Sequence, residues 1–270
     1  MKVTFIGGGN MASAMIGGLL AQGWPAADLC VVEIAGAARE RLEREFAVTT
    51  WAALDAVAAV ADCIVIAVKP QQMRETARGL RARLASQLVI TIAAGIRLAD
   101  LGRWLGDYRR LVRVMPNTPA LVRAGISALY ASDGVSTEER SRAEAILGAV
   151  GRTVWVERED LLDAITAVSG SGPAYVYYFI EALEQAAKEL GLPAETARQL
   201  AMETFSGAAR LALGSSDPVA TLRERVTSKG GTTERALKAL EADRVKEAIV
   251  RAVRAAAERS RELGDELGRE

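Results

Sequence analysis

Short β-type runs, largely apolar, alternate with helix-patterned segments through the first 160 residues and then cease, and this limits the available folds more than any other feature of the chain. The runs are 3–6, 29–33, 63–68, 88–93, 111–115, 126–131 and 153–156. Several lack polar alternation, as expected of strands covered on both faces. Helical patterns occupy 11–22, 37–46, 71–84, 99–105 and 137–150, and Ser136 with Glu139 matches a capping box at the start of the last. Strand–helix alternation of this kind predicts an α/β fold with a mostly parallel, doubly wound sheet over residues 1–160.

Residues 161–270 carry no strand signal and predict an all-helical second domain. Its breaks fall at Ser169-Gly170-Ser171-Gly172-Pro173, at Gly191-Leu192-Pro193, at 214–218 and at 227–233. Gly191 suits a helix C-cap and Pro193 a first helical turn, while Asp217 before Pro218 suits an N-cap with proline at N1. The break at 169–173 reads either as a kink or as a close approach of backbone to a ligand.

The chain has no histidine, which excludes Ser-His-Asp and Cys-His nucleophile pairs, imidazole bases and His-ligated zinc; no metal site is expected. Lys+Arg and Asp+Glu balance at 34 each, an argument against nucleic-acid or anionic-membrane partners. Cys30 and Cys63 fit no CxxC or zinc spacing and read as small buried hydrophobes in a reducing compartment. No leader pattern and no membrane-length apolar stretch is evident, so a cytoplasmic location is expected.

Gly7-Gly8-Gly9-Asn10-Met11-Ala12 follows the first strand and opens the first helix, reading as G-x-G-x-x-A. Gly7 permits the tight turn, Gly9 lets backbone approach a pyrophosphate, and Ala12 allows close helix–strand packing. The helix start offers unpaired N–H groups to that anion. These residues predict a Rossmann-like dinucleotide site rather than a purely structural turn. Glu33 closes the second strand, where a carboxylate bonds the adenosine ribose and repels a 2′-phosphate. It leans the choice towards NADH, although Arg39 and Arg41 are near enough in sequence to reach a phosphate of NADPH. Three further turns end strands: Ala67-Val68-Lys69-Pro70, Ala93-Ala94-Gly95, and Met115-Pro116-Asn117-Thr118-Pro119. Singly each is ordinary loop chemistry; together at one sheet edge they suggest a shared ligand, with small residues at 93–95 leaving room for a flat ring.

In the helical half, Val226-Thr227-Ser228-Lys229-Gly230-Gly231-Thr232-Thr233 is rich in hydroxyls and runs into a helix. It reads either as an interhelical loop with a threonine cap or as a cradle of glycine N–H groups and hydroxyls for a small carboxylate.

With these residues the chain resembles bacterial Δ1-pyrroline-5-carboxylate reductases over essentially its whole length. The resemblance rests on 5–12, 67–70, 115–119, 169–175, and most specifically on the signature from Pro218 through 226–233 to Leu240-Glu241. It implies NAD(P)H-dependent reduction of L-1-pyrroline-5-carboxylate to L-proline, the last step of proline synthesis, and an all-helical C-terminal dimerisation domain. It further implies that Gly7, Gly8, Gly9, Asn10, Met11, Ala12, Glu33, Ala67, Val68, Lys69 and Pro70 hold the cofactor, with Ala94, Asn117 and Pro173 near the nicotinamide. Val226, Ser228, Gly230, Gly231, Thr232 and Thr233 would hold the substrate, the Thr233 hydroxyl bonding the imine nitrogen and Ser228 assisting. Such dimers intertwine, so that one subunit's loop completes its partner's site, and often assemble into decamers.

The absence of imidazole suits this chemistry. A cyclic imine is partly protonated near neutral pH, and its carbon then accepts hydride once nicotinamide and substrate are aligned. A ketone would require a group to stabilise and protonate an alkoxide. The rival readings are a β-hydroxyacid dehydrogenase or general imine reductase, for which Lys188 is the mid-domain candidate, and a non-catalytic dinucleotide-binding protein, which would not need Ser228 or Thr233.

Overall fold

The computed structural model describes residues 1–54 and 61–269. Among these residues eight strands form one sheet: β1 (Val3–Ile6), β2 (Leu29–Val32), β3 (Thr49–Trp51), β4 (Cys63–Ile66), β5 (Leu88–Thr91), β6 (Leu111–Met115), β7 (Gly125–Ala131) and β8 (Gly151–Trp155). Their order is β3-β2-β1-β4-β5-β6-β7-β8, and all neighbours are parallel except β6 and β7. Every expected strand is present. β3 is the one that periodicity does not reveal, since three residues are too few to show a period.

Helices α1 (Asn10–Ala21), α2 (Gly36–Phe46), α3 (Met73–Arg81), α4 (Leu98–Trp104) and α5 (Thr137–Gly148) follow the strands they were expected to follow. The apolar runs feed two separate layers, one per sheet face. Val3, Phe5, Cys63 and Val65 pack with Met15, Ile16 and Leu19 of α1 and Ile146 and Leu147 of α5. Ile6, Ile64 and Ile66 pack with Met73 and Leu80 of α3 and Leu101 and Trp104 of α4. Burial of each such side chain contributes about 1.5–3 kcal/mol, which is why the central strands are mostly apolar, with Thr4, Thr91 and Arg113 as buried polar exceptions. Cys63 sits inside this core, where burial pushes its thiol up to about 12, and the half-buried Cys30 thiol is raised for the same reason.

The capping box at α5 is formed: the Glu139 amide donates to Ser136 Oγ at 3.2 Å and the Ser136 amide to Glu139 Oε2 at 2.8 Å. Ser136→Ala is expected to cost about 1 kcal/mol and to lower the thermal midpoint by about 2–4 °C. An unchanged melting curve would show that the cap contributes nothing.

The helical part begins with α6 (Leu161–Ile165) and a widened helical turn over Thr166–Gly170, closed by the Ser171 amide donating to Thr166 O at 2.8 Å. Then come α7 (Gly172–Glu189), α8 (Ala194–Leu213), α9 (Val219–Arg225), α10 (Thr232–Ala242) and α11 (Val245–Arg269). The chain divides into one compact unit of Met1–Ser171 with Ala256–Glu270 and another of Gly172–Ala255. This differs from a division at 160/161 because α6 and the end of α11 both pack in the sheet unit. Leu162 and Ala167 are buried there, and Ser260 Oγ donates to Asp163 Oδ1 at 2.7 Å. Arg97 pairs with Asp265 at 2.7 Å, and Arg103 donates to Gly268 O at 2.9 Å. Periodicity within a helix cannot tell where that helix returns.

In the unit Gly172–Ala255, α7 packs against α8. Of the side chains on α7 to α10 only Ala197 and Ala201 are buried, whereas Tyr178, Leu211 and Leu213 are 72%, 63% and 76% exposed. So much apolar surface is characteristic of an interaction face. Gly191, at φ +93°, ends α7 as expected. Two expected caps shift: Pro193 and Pro218 are themselves the N-caps of α8 and α9. Asp217 is therefore not a cap, and its carboxylate pairs with Arg225 at 2.5 Å. Among the described residues no helix is long and apolar enough to cross a membrane.

Candidate functional site

β1 lies between β2 and β4, so the chain leaves β1 to one side and later returns to the other. Where the order reverses, the loops beyond the strand ends separate and leave a crevice. A cleft of about 520 Å³ occupies that place. Gly7 and Gly9 line it beyond β1, Glu33 and Ile34 beyond β2, and Ala67, Val68 and Lys69 beyond β4. Gln72, Glu75 and Thr76 close one side. Glu75 and Thr76 are among the lining residues that the sequence does not reveal; they carry no motif and are recognisable only once α3 is in place.

The three glycines have three different reasons. Gly7 has φ +96°, and a Cβ there would lie 2.8 Å from the Ala67 carbonyl oxygen. Gly8 has its amide on Glu33 Oε2 at 2.9 Å, and a Cβ would lie 2.6 Å from Leu42 Cδ1. At Gly9 a Cβ would meet nothing within 4 Å. Gly9 is thus not required by packing; it leaves open space at the N-cap of α1, whose first amides have no partner within the helix. An open, amide-lined hollow at a helix start fits the pyrophosphate of a dinucleotide. Ala12 is fully buried and Met11 packs on the core, so these two contribute backbone rather than side chain. Asn10 faces a separate hollow of about 350 Å³ with Ser13 and Arg41.

Glu33 is held at both oxygens, Oε2 by the Gly8 amide and Oε1 by the Ala35 amide, each at 2.9 Å. Arg39 donates to the Glu33 and Ile34 carbonyls at 2.8 and 2.9 Å. Arg41 turns the other way, to Gly8 O, Ser13 Oγ and Glu45.

The remaining turns share this sheet edge. Pro70 opens a short 3₁₀ turn before α3, while Ala67 to Lys69 reach the cleft. Ala94 is half-buried. Its neighbour Gly95, at φ +75°, makes room for α11 rather than for a ring: an added Cβ would lie 3.1 Å from Leu267 Cδ1. Asn117 acts as a strut, accepting from the Ile126 amide at 2.9 Å and donating to Ser169 O at 3.2 Å. That contact joins the 115–119 turn to the widened turn at 166–170, two motifs 52 residues apart. The break there is therefore a helical bulge of the kind that often marks functional sites.

Pro173 and 226–233 belong to the helical unit. Pro173 lies in the first turn of α7. In the loop, Gly230 has φ +74°, and its amide donates to Glu234 Oε2 at 2.7 Å. The Gly231 amide donates to Ser228 O at 3.0 Å. The expected glycine N–H cradle is therefore already engaged within the loop. Among the described residues, the amides of Thr232, Thr233 and Glu234 in the first turn of α10 have no acceptor, and the hydroxyls of Ser228, Thr232 and Thr233 have no partner. Those are the groups free to meet a carboxylate. Sequence reasoning passed over Glu234. The Gly230 amide, and after it Lys238, holds its carboxyl below the usual range, so it remains ionised beside the loop.

Known proteins place this arrangement. The family described as pyrroline-5-carboxylate reductase dimerisation matches residues 159–263, and that described as NADP oxidoreductase, coenzyme F420-dependent, matches residues 2–95. The pyrroline-5-carboxylate reductase of Pseudomonas aeruginosa is 45% identical over 268 residues, spanning 99% of this chain and 98% of that protein. Among solved structures, a pyrroline-5-carboxylate reductase from Coxiella burnetii has a TM-score of 0.92 at 42% identity, covering 97% of this chain and 98% of that one. The Plasmodium falciparum pyrroline carboxylate reductase with NADP bound has a TM-score of 0.87 at 30% identity, covering 98% of each.

Proposed function

This chain belongs to the pyrroline-5-carboxylate reductase family, and from that premise we infer that it carries out the family's reaction. It reduces L-1-pyrroline-5-carboxylate to L-proline with NAD(P)H, the closing step of proline synthesis. The observation that carries this reading is the open hollow at Gly9, in a chain that matches such a reductase over 99% of its length.

The cofactor held at this turn would supply the hydride for the imine carbon. The chain's own groups do the rest. Gly7 shapes the turn, Gly9 and the first amides of α1 seat the pyrophosphate, and Ala67 to Pro70 border the cofactor. Ala94 and Asn117 border the nicotinamide end. The substrate carboxylate meets the first amides of α10 and the hydroxyls of Ser228 and Thr232, with Val226, Gly230 and Gly231 shaping the loop. The Thr233 hydroxyl bonds the ring nitrogen, where the proton must reside as the carbon takes up hydride. No imidazole is required, because the substrate's own basicity supplies the activation. The rival dehydrogenase reading is weakened because Lys188 is paired with Glu184 at 2.7 Å on α7.

The helical unit associates with a second copy through the apolar faces of α7 and α8, each protomer's α10 loop completing its partner's site, and the dimers assemble further. These features fit a soluble enzyme of the cytoplasm with neither nucleic-acid nor membrane partners. Purified protein should oxidise NADH or NADPH only when pyrroline-5-carboxylate is present; no turnover with either nucleotide would refute the assignment. It should sediment at twice the 28.7 kDa chain mass or a higher even multiple. A monomer in equilibrium sedimentation at micromolar concentration would remove the basis for a shared site.

A further inference from the structure

We propose that the cleft selects NADH over NADPH, and that Glu33 is the residue that makes the selection. This rests on the reading of the cleft as a dinucleotide site. An acidic residue at the end of a second strand can be a mere solvated side chain, free to swing aside and admit a phosphate. Glu33 cannot. Its two carboxylate oxygens are held by two different backbone amides, Gly8 from the turn after β1 and Ala35 from the start of α2, each at 2.9 Å. The carboxylate is thereby fixed on the wall of the cleft with its negative charge in place and lone pairs still free to accept from ribose hydroxyls. Moving it aside to admit a 2′-phosphate would leave both amides without their acceptor.

The cations that the sequence offers as phosphate ligands are engaged by backbone and side-chain acceptors of the chain itself. Arg41 does not line the cleft; it is tied to Gly8 O, Ser13 Oγ and Glu45 and lines the separate hollow beside Asn10. Arg39 donates through Nη1 to the Glu33 and Ile34 carbonyls and does not line the cleft either. Among the described residues of the cleft, Glu75 adds a second carboxylate, against the one ammonium of Lys69. A phosphate dianion beside Glu33 would therefore meet like charge, with the nearby Arg39 guanidinium held by Nη1 on the Glu33 and Ile34 carbonyls, and like-charge juxtaposition is how binding sites exclude a near-identical ligand.

The test is calorimetric binding of NAD⁺ and NADP⁺ to the intact protein, which needs neither imine nor turnover. Wild type should bind NAD⁺ at least about tenfold more tightly than NADP⁺. Glu33→Gln keeps the shape and one acceptor oxygen but removes the charge. It should narrow that ratio by about tenfold, chiefly through tighter NADP⁺ binding. Arg39→Ala should leave the ratio within about twofold, its guanidinium being committed to backbone carbonyls. Equal or tighter binding of NADP⁺ by wild type would overturn the proposal, as would an unchanged ratio in Glu33→Gln or loss of NADP⁺ binding in Arg39→Ala. Failure to bind either nucleotide would overturn it together with the dinucleotide reading. Failure to reduce the imine, with nucleotide selection intact, would count against the enzymatic assignment alone.

Discussion

Thr233→Ala is expected to lower kcat by about 100-fold, the scale of losing one hydrogen bond that strengthens as charge moves in the transition state. The side chain stands at the second residue of α10, half-buried, with no partner for its hydroxyl among the described residues. That state costs little while water has access and makes the group available to a ligand. Its removal leaves no buried partner stranded, so the thermal midpoint should hardly move. The dissociation constant for NAD(P)H should also be unchanged, because the substitution leaves the Gly7–Gly9 turn that seats the pyrophosphate intact. Thr233→Ser, which keeps the hydroxyl, should recover most of the rate. Steady-state kinetics with direct nucleotide binding separates the possibilities, and full activity in Thr233→Ala would end the proposed role of that hydroxyl.

A second large effect should separate two glycines of one motif. Gly9→Ala should fold with a thermal midpoint within about 4 °C of wild type, since alanine at an N-cap costs a fraction of a kcal/mol to about 1 relative to glycine. Its backbone, at φ −70°, suits any residue, and the added methyl would meet nothing within 4 Å. That methyl would fill the space through which a pyrophosphate reaches the amides of α1, so affinity for NAD(P)H should fall at least about tenfold. Gly7→Ala should fail differently. At φ +96°, with a Cβ 2.8 Å from Ala67 O, it carries backbone strain and a clash with main chain that cannot rotate away. It should lose about 2 kcal/mol or more and melt at least about 5 °C lower. Thermal melts beside nucleotide titrations distinguish the two. A Gly9→Ala protein that binds NAD(P)H normally would mean that no pyrophosphate approaches that turn.

The legible and illegible parts of the molecule divide by range. The seven apolar runs and the Ser136–Glu139 cap depend on residues within one strand or turn, and each takes the expected form. β3 escaped notice because Thr49–Trp51 spans three residues. The cap of α9 falls at Pro218, one position beyond Asp217, because proline at an N-cap and proline at N1 look alike in sequence. The glycines of the 230–231 turn suggested open amides, but a glutamate one turn on takes the first of them. Nothing in the glycine pattern itself shows that.

Sequence alone determined that a doubly wound sheet would precede a helical half, that the first turn would suit a dinucleotide, and that any chemistry must proceed without imidazole. Each of these depends on periodicity, residue type or short spacing, which the chain carries before it folds. Only the tertiary structure decided which compact unit receives the end of α11 and how Asn117 ties to Ser169. It also decided that Gly7 is required by packing while Gly9 is free for a ligand, and that the Glu33 carboxylate is pinned by amides of two different loops. Those outcomes depend on the free-energy balance of contacts between residues distant in sequence, such as the 97 residues separating Asp163 from Ser260. Such contacts exist only after the sheet has brought the loops to one edge.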